Sequence, residues 1–541
     1  LSVALALASP ARAGAACAAD AGLAQLRAEQ LLARGAWAQA AREYACAAAA
    51  SDDPAVAERA TRAAFEREQW SGALAGARRR GPLQPEREEA RRFLAISLLR
   101  LHRPEQAPAE FRRILDGGYA ERGEGYTALL GILGAEANDA GAARVMDSLA
   151  GADPAVPEAS YAASVLWQRA EHGERALAAA RRALALRPDW PLATLAEARA
   201  LLLLGRTDEG LGRARQAAAG GHEFVGPSYA WLLAAADRRD EAAAEFEALR
   251  RGRPDVAPVL EGLGALAFDR GDFDTARRHF LELAQASRGA ETGLAFLGFI
   301  ADRQGEPALA VRFLERVDSG PRAVAAQLRA HELLLGLGAT ARAGLLLDEF
   351  LAASPEQTRD VVMRLASRLA ADGQGAPALA LLARLGETYP DDDDIRLAQA
   401  YVHERLDQVD AAVRIMRDVL SRRPQDPTAL NALGYTLVDR TRRVREGHAL
   451  IERAIAARPD SYAIIDSMGW SLFRLGRLEE ARAWLDRAWG RSRDPEVAAH
   501  LGEVLWALGD RDAARALWRE ASEAAPDNRT LRRTLERHPA G

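Results

Sequence analysis

Leu433-Gly434, Met468-Gly469 and Leu501-Gly502 are apolar-glycine pairs 35 and 33 residues apart, each followed about one helical turn later by Leu437, Leu472 or Leu505. A chain that repeats itself at this period does not fold around one centre, because every period carries the same apolar pattern and buries it against a neighbouring copy. With Pro495 as position 1 of a 34-residue frame, Leu501, Gly502, Leu505, Gly509, Ala514, Trp518, Ala521 and Pro526 fall at positions 7, 8, 11, 15, 20, 24, 27 and 32. Intervals of three and four run within 7–11 and again within 20–27, so each period is two helices. Small residues at 8, 20 and 27 let the paired helices approach, large ones at 7 and 24 fill the space between them, and proline at 32 stops the second helix.

This pattern resembles the tetratricopeptide repeat. It runs backwards through Pro459, Pro424, Pro390 and Pro355, and in weaker form through Leu297-Gly298 and Leu263-Gly264, with Gly305 and Gly271 at the turn between helices. Near the start, Gly35, Ala40, Tyr44 and Ala47 fit positions 15, 20, 24 and 27. The resemblance implies an all-α, right-handed superhelical solenoid of about fifteen antiparallel helix pairs. At 541 residues the chain exceeds the roughly 300 that one core accommodates, which a solenoid tolerates. The expected division is a truncated signal peptide over 1–13, degenerate helical repeats over 14–290, and a regular solenoid over 291–541 closed by a polar capping helix at Arg529 to Arg537. Thr441 to Val444 adds about one residue between the helices of its unit, and Gly220-Gly221 shortens a junction.

Charge removes several function classes. The net charge is −5, and every one of the 72 Lys+Arg positions is arginine. Without a global positive field nucleic acid is not an expected partner, and without lysine there is neither a Schiff-base amine nor a P-loop cation. The nine histidines are scattered without metal-ligand spacing, two cysteines make no thiolate site, and Gly262-Leu263-Gly264 lies inside a repeat helix. No catalytic, cofactor-binding or metal-binding residue is assigned, and the chain is not expected to be an enzyme. The dense acidic run Asp391 to Asp394 reads as a solvated helix cap.

Leu1 to Ala8 is an apolar run, and Ala11-Arg12-Ala13 matches the small-x-small cleavage pattern of a secretory signal, so export is expected. The frame sets Cys17 before the first helix of unit one and Cys46 near the end of the second, where antiparallel pairing brings them together. A disulfide there is one expectation, contributing about 3 kcal/mol by loop-closure entropy. A second is lipidation of Cys17, since Gly14-Ala15-Ala16-Cys17 has the small residues of a lipoprotein box without its leucine at minus three, and a third is two free thiols.

The best-formed units place Asn431, Tyr435 and Val438, then Asp466, Trp470 and Phe473, then His500, Glu503 and Trp506 along one inner surface. Rigid aromatics interleaved with single polar groups are the composition of a protein-binding surface. Trp484, Trp489 and Trp518 lie on second helices and read as core. The segments Asp53-Pro54-Ala55-Val56-Ala57-Glu58-Arg59-Ala60-Thr61, Leu297-Gly298-Phe299-Ile300-Ala301, Asn431-Ala432-Leu433-Gly434-Tyr435, Asp466-Ser467-Met468-Gly469-Trp470 and His500-Leu501-Gly502-Glu503-Val504-Leu505-Trp506 resemble a family of proteobacterial envelope tetratricopeptide proteins. One member is an outer-membrane lipoprotein adaptor that delivers cell-wall hydrolases to a periplasmic carboxy-terminal processing protease. The resemblance implies a periplasmic adaptor, attached to the outer membrane where Cys17 carries lipid. The other role left open is a scaffold for envelope polysaccharide export or outer-membrane assembly.

Overall fold

The computed structural model describes residues 20–136, 138–222, 224–252, 257–286, 288–354, 357–526 and 528–538. The expected leader over 1–13, Cys17 and Pro355 lie outside them. Among the described residues there are thirty-one α-helices, one 3-10 turn at Pro104–Gln106 and no strand, so the chain is an all-α array of helix pairs as its period requires. The C-terminal repeats show the unit most clearly. Asp393–Arg405 pairs with Val409–Arg422, Pro427–Arg440 with Val444–Ala457, Tyr462–Arg474 with Leu478–Arg491, and Pro495–Ala507 with Arg511–Ala524, before a last helix, Arg529–Arg537.

Local chemistry sets these boundaries. Asp53, Asp426 and Asp494 each cap a helix that begins with proline, their carboxylates accepting from the backbone N–H of Ala55, Ala429 and Glu496. Proline at the first helical position has no N–H to leave unsatisfied, so the Asp-Pro pair starts a helix at little cost. The turn inside a pair needs one left-handed residue. Gly509 supplies it at φ +93°, and Asp407 holds the same place at φ 64°. The turn after Pro427–Arg440 is different: Thr441 is extended and its hydroxyl donates to the Leu437 carbonyl while accepting from the Arg443 N–H. The extra residue foreseen there is absorbed by the helix, which has 14 residues where the next two first helices have 13.

Positions 8 and 24 of the frame meet inside each pair. A Cβ on Gly502 would sit 1.9 Å from the Trp518 Nε1, one on Gly469 2.5 Å from the Leu485 Cγ, and one on Gly434 2.7 Å from the Ile451 Cγ1. Glycine is therefore demanded by proximity of the partner side chain and not by backbone angle. Trp518 is buried as expected, whereas Trp484 and Trp489 are only partly buried, packed on the core with Arg487 and Arg493 over their outer faces.

The described helices sort into two compact units, each discontinuous in sequence. One comprises 20–97, Ala183–Leu202 and Arg206–Asp391; the other Leu98–Arg182, Leu203–Gly205 and 392–538. In the first, the Gln69 side-chain amide donates to the Thr388 carbonyl at 2.9 Å, and the Ser71 N–H donates to Asp391 at 2.9 Å. In the second, buried Asp460 accepts from the Gly173 N–H at 2.8 Å and from Arg487 and Arg491, while its own N–H donates to the Glu171 carbonyl. These contacts join residues some three hundred positions apart.

The acidic run departs from expectation. Asp392 does cap its helix, accepting from the Asp394 and Ile395 N–H groups, but Asp393 is buried and holds Arg396, Arg422 and Arg423 around it. The run is thus a half-exposed cap beside a buried ion-pair centre, and not a solvated cap throughout.

Candidate protein-binding surface

Four successive first helices, Asp393–Arg405, Pro427–Arg440, Tyr462–Arg474 and Pro495–Ala507, present one inner face in the second unit. Helices two repeats apart touch across it, since the Tyr435 hydroxyl donates to Glu496 at 3.2 Å. Between them lies a cavity of about 190 Å³ lined by Tyr401 and Glu404 from the first helix, Asn431, Tyr435 and Thr436 from the second, Tyr462, Asp466 and Ser467 from the third, and Asp494, Glu496 and Val497 at the start of the fourth.

Its wall is a hydrogen-bonded chain. The His500 ring donates from Nδ1 to both oxygens of Asp466, at 3.0 and 2.9 Å, and its Nε2 stands 3.4 Å from the Tyr435 oxygen. Both members of the pair are buried, His500 at 3% and Asp466 at 6% exposure. Burial pushes the imidazole down, but the Asp466 carboxylate together with the charges of Glu496 and Asp439 outweighs it and holds His500 above its ordinary value, favouring the charged ring. Trp470 stacks on that ring at 4.3 Å and on Phe473 at 5.0 Å, while its indole N–H donates to Asp439 at 3.1 Å.

The carboxylates nearer the cavity are differently placed. Glu496 is raised by burial and by the charges of Asp466 and Asp494, against the opposing pull of His500. Glu404 is raised by burial and by Asp439 and Glu496, against the opposing pull of Arg440, and accepts from the Thr436 hydroxyl at 3.3 Å. The Asn431 side-chain oxygen is buried without a donor.

Of the residues expected on the surface, Asn431, Tyr435 and Asp466 line the cavity, and Trp470, Phe473 and His500 stand behind it. Val438 is buried in the core. Glu503 and Trp506 are not brought there. The last helix covers them: Arg537 and His538 pair with Glu503 at 2.8 and 2.9 Å, and Trp506 lies against Trp518 and His538 with Arg511 and Arg515 over it. Tyr401, Glu404, Tyr462, Asp494 and Glu496 were not foreseen. The same frame begun at Asp393 puts Tyr401 and Glu404 at positions 9 and 12, where Tyr435 and Val438 stand in the unit begun at Pro427, so for these two the period itself carries the signal. Among the described residues no group of histidine, cysteine and carboxylate side chains is arranged to hold a metal ion, and no helix is long and apolar enough to cross a membrane.

Residues 230–291, 397–461 and 431–495 match a family model described as tetratricopeptide repeat, and residues 495–520 match a second model of the same description. Over 207 residues the chain is 35% identical to the TPR repeat-containing protein PA4667 of Pseudomonas aeruginosa, a stretch covering 38% of this chain and 35% of that relative. The match thus spans about a third of the relative's own length. Among solved structures, the thermophilic TPR protein TTC0263 of Thermus thermophilus is 23% identical, covering 33% of this chain and 97% of its own, with a TM-score of 0.30. Yeast Tom70 is 12% identical, covering 95% and 93%, with a TM-score of 0.36.

Proposed function

We propose that this chain, a tetratricopeptide repeat protein, is a non-catalytic adaptor of the bacterial cell envelope that holds other proteins on its first helices and presents substrates to a periplasmic carboxy-terminal processing protease. The observation that carries the protein-binding reading is the tyrosine-lined cavity spanning four repeats. Its rims, Tyr401 and Tyr462, are 44% and 38% exposed, so two rigid amphipathic side chains stand ready to be buried at low entropic cost. Repeat proteins of this kind act in general as protein-interaction scaffolds, and the family resemblance and apolar leader support the envelope and the protease. In the same reading Cys17 and Cys46 form a disulfide in the oxidising periplasm, so the exported protein should resist alkylation by mass until reduced; a lipid mass on Cys17 would reject the pairing.

The test is photocrosslinking in living cells from positions 401 and 462 of the full chain, with partners identified by mass spectrometry. A processing protease or its substrates among the crosslinked proteins is the expected result. A channel or polysaccharide synthase in their place would replace the protease role with that of an assembly scaffold. No crosslinked protein from either position would overturn the binding surface itself.

A further inference from the structure

The geometry points to the cavity between Tyr401, Tyr435 and Tyr462 as a receptor for one basic side chain, arginine or lysine, of the protein segment bound there. The inference rests on the reading of this face as protein-binding and adds the chemistry of what enters it. Carboxylates in this chain are commonly matched by arginine from a neighbouring helix or a nearby repeat, as with Asp302 and Arg329 at 2.7 Å or Glu261 and Arg322 at 2.9 Å. The cavity breaks that habit. Of its four carboxylates, Asp466 is matched by His500, while Glu404, Asp494 and Glu496 have no arginine within ion-pair distance among the described residues. No arginine lines the space, so three carboxylates, one from the first helix and two from the start of the fourth, converge on one void.

A second, independent observation concerns hydrogen bonds. The Asn431 amide oxygen is buried at the cavity and receives none, which is costly for a carbonyl acceptor unless a donor arrives. Thr436 and Tyr435 already donate to Glu404 and Glu496, so what the void offers a visitor is acceptors and tyrosine faces. A guanidinium or ammonium group is donor-only, positively charged and attracted to aromatic faces, and each property has its counterpart in the wall. The upward displacement of Glu404 and Glu496 agrees, since half-buried carboxylates held above their ordinary value despite the pull of Arg440 and His500 gain when a further cation enters. About 190 Å³ accommodates a side-chain head and not a folded element. A carboxylate-bearing chain end would meet like charge, and this separates the site from surfaces that recognise C-terminal carboxylates.

The experiment uses the purified full chain and capped glycine pentapeptides carrying a single central arginine, lysine, citrulline or glutamate, titrated by calorimetry at millimolar concentration. Citrulline keeps the shape of arginine without its charge. Arginine or lysine should bind about tenfold or more tightly than citrulline, and glutamate not at all. Glu404→Gln with Glu496→Gln should remove that preference while leaving the thermal midpoint unchanged or raised, because neutral amides are easier to bury. Asp494→Asn, which keeps the helix cap, should weaken arginine binding without unfolding the repeat. Equal binding of arginine and citrulline, an arginine affinity indifferent to all three substitutions, or no arginine or lysine binding would overturn the inference. If crosslinks from positions 401 and 462 persist in that event, the adaptor reading survives and only the cation site falls; if they are absent, the binding face itself is lost.

Discussion

At Gly502 an added methyl group has no room beside the Trp518 indole, whereas at Gly490, within the same array, nothing stands within 4 Å of where it would go. Gly502→Ala should therefore cost about 3 kcal/mol or more by forcing the indole out of its rotamer, while Gly490→Ala should stabilise its helix by roughly 0.5–1 kcal/mol. Urea melts of the two variants check this, and similar midpoints would refute the close-approach account. The His500–Asp466 pair has a pH signature. Because Asp466 raises the imidazole above its ordinary 6.5, the stabilisation is complete below that pH and is lost as pH climbs through the folded value. Glu404 and Glu496, both raised from 4.5, lose their share in a lower window that opens at 4.5. Urea midpoints across neutral to alkaline pH should fall in the wild type and flatten in Asp466→Asn; a flat wild-type profile would contradict the charged pair.

The last helix, Arg529–Arg537, is the element whose role the structure enlarges. Its sequence is polar, as suits an end cap, yet Leu531 and Thr534 are buried, and Arg537 with the following His538 closes over Glu503. Deleting residues 529–541 should strand a buried carboxylate and uncover Trp506 and Trp518 together. The expected loss is about 3–5 kcal/mol, with a red shift of tryptophan emission and self-association of the truncated chain. Unchanged emission would show that the helix is ornamental. The same element accounts for the cover over Glu503 and Trp506: they hold the frame positions of Tyr435 and Val438, and what lies on them is a helix outside the repeat pattern. The cavity residues are more legible, since Tyr401 and Glu404 sit one unit upstream at the frame positions of Tyr435 and Val438, and Glu496 lies in the unit begun at Pro495.

At the scale of the whole molecule, the second unit is held together across the chain, with Leu98–Arg182 joined to 392–538 through Asp460 on Gly173 and through His102, whose Nδ1 stands 3.8 Å from Asp426. Asp460→Ala leaves Arg487 and Arg491 without their buried carboxylate and the Gly173 N–H without an acceptor, which should cost about 3–5 kcal/mol. Hydrogen exchange at Gly173 and around position 460 should rise together; protection at Gly173 unaffected by the substitution would deny the link. His102 works against acid. Burial, and then the Arg423 charge, push its ring down to about 4, so it is neutral in the fold and charged when unfolded. Its contribution is present above pH 6.5 and is lost on acidification from there toward 4, a change on the order of 3 kcal/mol. Mild acid should thus loosen this unit, and His102→Asn should blunt that response in a melt followed by circular dichroism.

Helix pairs, their glycine contacts and their Asp-Pro starts follow from intervals of three, four and thirty-four residues, and such spacing is visible along the chain because the forces behind it act within one or two turns. Asp460 beneath Gly173, Asp391 beside Ser71 and the gathering of Glu404, Asp494 and Glu496 around one cavity are not visible that way. They depend on where small rotations from one pair to the next have carried distant segments, and partners nearly three hundred residues apart leave no mark on local periodicity.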